Sequence, residues 1–154
     1  MTMVGRYGWP VRRYAVLALI VGSLFLRPQP ALACSCITQP KTQVAEGAAV
    51  AFTGTASGMS QFFGLGTACS PSSASRVGVT FEVETVYKGD VGKRATVFSA
   101  ADGASCGATF ELGKRYTVFA VRNGEALETD LCRGNADGAI VPSEYGLGAG
   151  RPPG

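Results

Sequence analysis

The 154-residue chain contains no histidine. That absence removes the commonest metal ligand and the commonest general base from any site the chain builds. Ser35, Ser99 and Ser105 therefore have no imidazole to activate them as nucleophiles. Glu82 and Glu84 sit on one strand pattern and read as a solvated face, not as an acid/base pair. The sequence offers no constellation for an enzyme and implies no cofactor.

A membrane-length apolar run is missing as well. The conspicuous uncharged stretch, Tyr14 to Leu26 (YAVLALIVGSLFL), has 13 residues. As a helix it reaches only about 20 Å, short of a hydrocarbon core of about 30 Å. Arg12 and Arg13 precede it, Arg27-Pro-Gln-Pro breaks it, and Ala31-Leu32-Ala33 supplies a small-x-small cleavage pattern. Residues 1–33 thus read as a signal peptide cut after Ala33, with an uncleaved anchor as the alternative. The expected product is secreted and extracellular, with no integral membrane span after cleavage. The Arg12-Arg13 pair hints at twin-arginine export, although its neighbours fit that motif poorly, so the general secretory route and the twin-arginine route both stay open.

A basic surface is the third absence. The chain is formally +3, with 14 basic and 11 acidic residues. Arg6, Arg12, Arg13 and Arg27 belong to the leader, which leaves ten basic residues against all 11 acids, a net charge of −1. No basic run interleaved with aromatics remains, so a nucleic-acid partner is not expected.

What remains is a 121-residue chain with five cysteines: Cys34, Cys36, Cys69, Cys106 and Cys132. In an oxidising compartment these read first as disulfide partners and second as metal ligands. The count is odd, so at least one lacks an intramolecular mate.

The pattern along the chain is β. Thr38 to Gly47 is polar enough for a short helix or turn. Ala48 to Thr55 reads as a first strand, with Gly54 a plausible bulge. Ser57 to Ser75 is rich in Gly and Ser and reads as a long loop. Val77 to Tyr87 alternates Val77, Val79, Phe81 and Val83 against polar residues, a strand with one buried face. Ala95 to Ser99 is a short third strand. Tyr116 to Val121 is apolar on both faces, as a central barrel strand would be. Asn123-Gly124 signals a hairpin into a fifth strand, Glu125 to Cys132, with Leu127 and Leu131 on one face. Tyr87 and Tyr116 read as core or rim aromatics, and Gly107 and Gly113 as turn residues. Five short strands without a long helical period predict a small closed or nearly closed all-β barrel with short helical segments. The tail, 138–154, is Gly- and Pro-rich and is expected to be loose.

Cys-Ser-Cys at the expected cut, "VYKG" at 86–89, "SCG" at 105–107, "LGKRYTVFA" at 112–120 and "TDLC" at 129–132 together resemble a known family. It is the amino-terminal domain of the tissue inhibitors of metalloproteinases and, more broadly, the netrin-like module. No single motif is specific; their order and spacing are. The resemblance covers residues 34 to about 133, within a domain expected to span 34–137. It implies an OB-fold-like five-stranded Greek-key barrel, disulfide-bonded as Cys34–Cys106 and Cys36–Cys132. Residues i and i+2 of an extended segment face alike, which suits two cysteines reaching two adjacent structures better than each other.

The resemblance also implies a role. The free α-amino group and carbonyl of Cys34 would chelate the catalytic zinc of a target metalloproteinase, whose fourth coordination position holds water. Ser35 would enter the protease's specificity pocket. Cys34, Ser35, Cys36, Ala104, Ser105 and Cys106 would form the inhibitory edge. Two alternatives stand beside this: a non-inhibitory netrin-like binding or adhesion module, and a surface protein lipid-anchored through Cys34. Before Cys34 the residues suit lipidation badly, since Ala31 stands at −3 and bulky Leu32 at −2. Cys69 has no counterpart in the family; it reads as an unpaired free thiol, a bridge in a dimer or a local oddity of the long loop. The animal inhibitors' third bridge is absent, because Ala45-Glu46-Gly47 stands where its first cysteine would fall.

Overall fold

The structure, a computed structural model, describes residues 34–62, 76–101 and 106–154. They belong to one compact unit, Leu32–Gly154. The expected leader and its cut, the loop residues 63–75 with Cys69, and Ala104 and Ser105 lie outside the described residues.

The elements are helix α1 (Lys41–Gly47) and strands β1 (Val50–Phe62), β2 (Arg76–Lys88), β3 (Arg94–Ala100), β4 (Arg115–Asn123), β5 (Ala126–Glu128) and β6 (Ala136–Asp137). Single 3-10 turns follow at Leu131–Arg133 and Pro142–Tyr145. The strands are ordered β1-β2-β3-β5-β4, and β1 pairs with β4 to close a five-stranded ring. All ring pairings are antiparallel except β3 with β5. Closure leaves the ring without a free outer strand.

Alternation fills the barrel. Phe52, Phe81, Val79, Val97 and Val118 point inward and are fully or almost fully buried. Phe52, Phe81, Phe110 and Tyr116 form an edge-to-face chain with centroids 5.1–5.7 Å apart, the arrangement ring quadrupoles favour. Tyr116 keeps its hydroxyl satisfied by accepting the Glu111 N–H at 3.0 Å. β4 is apolar on both faces for a specific reason. Tyr116, Val118 and Ala120 face the barrel, while Phe119 faces a second small core with Ala45, Ala48 and Ala51.

That second core explains α1 and the tail. The helix has no side-chain cap at its start; it is held by Ala45 packing near Phe119 and by Lys88, whose Nζ donates to the Ala45 and Glu46 carbonyls at 2.7 and 3.0 Å. The tail was expected to be loose and instead packs. Ile140, Tyr145 and Leu147 lie against the same core, and Tyr145 stacks on Phe119 at 5.2 Å. Glu144 pairs with Lys41 and holds its ammonium above the ordinary lysine range. Glycine-rich composition signalled flexibility, but apolar anchors between the glycines supply the packing.

Other differences concern lengths. β1 runs to Phe62, seven residues beyond the expected Thr55, because it stays paired with β2 as far as Phe62↔Arg76. The predicted loop therefore loses 57–62 to the strand. Gly54 does mark a bulge: the register shifts between Thr53 and Gly54. A Cβ at Gly54 would stand 2.6 Å from the Glu82 carbonyl oxygen, so the backbones approach closely only without one. β5 ends at Glu128 instead of Cys132. Its two-residue turn is Gly124-Glu125, between the paired Asn123 and Ala126, with Gly124 at φ +60°. No helix among the described residues is long and apolar enough to cross a membrane.

Candidate functional site

Residues 34–40 form no helix or strand, and all but half-buried Cys34 are exposed. Two sulfur bonds hold this segment: Cys34–Cys106, with Cα atoms 5.4 Å apart, and Cys36–Cys132, at 5.2 Å. These are the two pairs that the family resemblance implies. Each closes a long loop, with sequence separations of 72 and 96 residues.

The two anchor points are neighbours. Cys106 accepts the Leu131 N–H on its carbonyl at 2.9 Å, which joins the turn before β4 to the 3-10 turn after β5. Cys106 is also the only non-glycine residue at positive φ among the described residues, at +61°. An L-residue there carries strain that the surroundings must sustain. The bond to Cys34, the hydrogen bond to Leu131 and the next residues do so. Gly107 is buried, and Ala108 donates its N–H to the buried Ser99 hydroxyl at 2.7 Å.

The 131–133 turn has its own supports. Asp130 stands at its N-cap and accepts the Cys132 N–H at 2.8 Å, as short acidic side chains do at helix starts. Its second oxygen accepts Arg133 Nε at 3.1 Å. The turn is a detour between β5, which pairs with Val121–Asn123 of β4, and β6, which pairs with Tyr116–Thr117. At Phe119, between those pairings, side chains replace the ladder. Asn135 Oδ1 accepts the Phe119 N–H at 2.9 Å, and Thr129 Oγ1 donates to the Phe119 carbonyl at 2.9 Å. Asn135 Nδ2 in turn donates to Thr129 Oγ1 at 2.9 Å. The detour is therefore rigid, and with it the partner of Cys36.

Of the residues singled out in the sequence, Cys34, Ser35, Cys36 and Cys106 come together at this place. Cys132 joins them through Cys36. Three features were not anticipated. Ile37 is 87% exposed, two residues beyond exposed Ser35. Leu131, expected to share a face with Leu127, is 52% exposed while Leu127 is buried, because the strand has already ended. Gln39, Gln43, Val44, Asp130, Cys132 and Arg133 line a cavity of about 240 Å³ beside the Cys36–Cys132 bond. The alternation of Ser35 and Ile37 around Cys36 was the signal available for Ile37. Asp130, two residues before Cys132, was the capping signal for the turn.

No family model matches the chain, and a search of curated proteins finds none that matches it.

Proposed function

We propose that the chain is a secreted, netrin-like barrel of OB type and Greek-key connectivity that inhibits zinc metalloproteinases, as the tissue inhibitors do. The observation that carries this reading is the double anchorage of Cys-Ser-Cys. Both cysteines are bonded to adjoining turns, while Ser35 and Ile37 stay in solvent. A segment so held binds with little further loss of conformational freedom. The ring order β1-β2-β3-β5-β4, closed through β1–β4, is compatible with the barrel the reading requires.

In this reading export ends with Cys34 as the first residue. Its α-amine, with a pKa of about 8, is partly deprotonated at neutral pH and can replace the water on the protease's zinc. The Cys34 carbonyl completes the chelate, and Ser35 occupies the adjoining specificity pocket. Ala104, Ser105 and Cys106 flank the wedge. Lipid anchoring through Cys34 is disfavoured, since a thioether lipid needs the sulfur that bonds Cys106.

The test is an inhibition assay of the chain beginning at Cys34 against a panel of zinc proteases. One alanine added ahead of Cys34 moves the amine off the metal, and inhibition should fall by about a hundredfold or more, the loss of about 2.7 kcal/mol or more. Equal inhibition by both forms refutes chelation. Inhibition by neither, with the fold intact, favours a non-inhibitory binding module.

A further inference from the structure

The cavity beside the Cys36–Cys132 bond has fixed walls. One wall is the turn after β5. Asp130 Oδ1 accepts the Cys132 N–H at 2.8 Å, and Oδ2 accepts Arg133 Nε at 3.1 Å. The Asp130 carbonyl also accepts from Asn135 Nδ2 at 3.3 Å. The other wall is α1, which Lys88 holds by the Ala45 and Glu46 carbonyls. The two walls meet at Gly134, where a Cβ would stand 2.8 Å from Val44 Cγ1. Gly134 also sits at φ +74°, so glycine serves both the turn and the close approach.

Several polar groups in it are idle. Arg133 spends only Nε on Asp130, and its terminal nitrogens meet no acceptor among the described residues. The side-chain amides of Gln39 and Gln43 line the same cavity, and no hydrogen bond engages either among the described residues. A carboxamide carries both donors and an acceptor, and a guanidinium is a planar fork of donors. The lining selects a class of ligand. Asp130 and Arg133 cancel in charge, so an anion meets a carboxylate beside the guanidinium, and a cation meets the reverse. An apolar group would strip water from two amides and an ion pair. In return it would gain Val44, the only wholly apolar side chain of the lining. A neutral group with one acceptor and one donor suits the site. Its C=O takes the free Arg133 N–H groups, and its N–H goes to a glutamine oxygen. A peptide amide has this pattern. The volume of about 240 Å³ equals that of about eight waters in the liquid, which accommodates a peptide unit with its flanking carbons.

We propose that this cavity binds a main-chain amide of a partner protein, held by Arg133 and clasped by Gln39 and Gln43. Gln39 belongs both to the cavity and to residues 34–40, which the two sulfur bonds hold. A partner segment laid along exposed residues 35–39 therefore reaches the cavity without a break. The site uses neither the Cys34 amine nor a zinc ion, so it stands or falls apart from the inhibitory reading.

The test is a titration of the chain from Cys34 to Gly154 with N-acetylglycine methylamide, followed by NMR of the Gln39, Gln43 and Arg133 side-chain N–H signals. Acetate, methylammonium and N-acetylglucosamine are titrated in parallel. The peptide probe should shift all three signals saturably, with a Kd of about 1–10 mM for so small a ligand. Gln39→Ala with Gln43→Ala changes two exposed residues and should leave the barrel amides unmoved. Read on Arg133, it should weaken the probe at least about fivefold. Gln61→Ala, at an exposed glutamine of β1, should change nothing. Arg133→Lys keeps the charge but loses the fork, and should weaken the probe by a similar factor, read on the Gln43 amide. No saturable shift, or binding that the double variant leaves intact, overturns the proposal. Acetate or methylammonium binding as tightly as the probe overturns the neutral ligand. N-acetylglucosamine binding more tightly than the probe overturns the peptide source. If Arg133→Lys loosens the 131–133 turn, seen as a moved Cys132 amide signal, the double glutamine variant carries the test alone.

Discussion

Asn135 stands in for a strand at the point where β4 lacks one. Its side chain accepts the Phe119 N–H and donates to Thr129, and Phe119 is fully buried. Asn135→Ala leaves that N–H without a partner, which should lower stability by about 1–3 kcal/mol in urea unfolding. Gly54 is the other telling position. Alanine there drives a Cβ against the Glu82 backbone, which cannot swing aside as a side chain could. The expected loss is about 1–3 kcal/mol in the same assay. The two differ in how far the sequence disclosed them. A lone glycine inside a strand pattern announces a bulge, so Gly54 was legible. Asn135 was not, because nothing local says that the chain leaves the ladder at Thr129 and rejoins it at Ala136. Leu131 was misplaced for the same reason: alternation carried past Glu128 puts it on the face of Leu127, and the 3-10 turn leaves it in solvent.

Strand existence came through clearly, since Val77 to Val83 alternate and Tyr116 to Ala120 are apolar on both faces. Lengths came through poorly. β1 extends over Ser57 to Phe62, a stretch of small and polar residues that owes its shape to pairing with β2, a non-local cause. The packing of the tail was hidden likewise, because Ile140, Tyr145 and Leu147 gain meaning only beside Phe119 and α1. Residues 34–40 are the segment on which the functional reading depends. Cys36→Ser with Cys132→Ser opens a loop of 96 residues' separation. Chain entropy assigns a lone loop of that length about 4.7 kcal/mol, and less while Cys34–Cys106 stays closed, so the double variant should lose about 3–4 kcal/mol. The same variant should raise amide exchange along residues 35–39 while strands β1 to β4 remain protected. Unchanged exchange would show that the bond does not hold the segment.

For the molecule as a whole, the barrel is a frame that gathers two turns, distant in sequence, at one place and fastens a free-standing segment to both. The sequence revealed the cysteines and their spacing; the adjacency of Cys106 and Leu131 needed the three-dimensional pairing. If the α-amine binds a protease's zinc, protons compete for it. Inhibition should weaken as pH falls below the amine's pKa of about 8, by up to about tenfold per unit. An inhibitor of the same protease that binds without an amine serves as the reference for the enzyme's own titration. A pH profile that parallels this reference would argue against amine ligation.

The most direct measurement is the intact mass and the non-reducing peptide map of the protein recovered from the medium and from the cells. A polypeptide starting at Cys34, with an unmodified amine and with cross-links Cys34–Cys106 and Cys36–Cys132, is the predicted result. A different first residue, an added acyl mass, or Cys34 recovered as a thiol would contradict it.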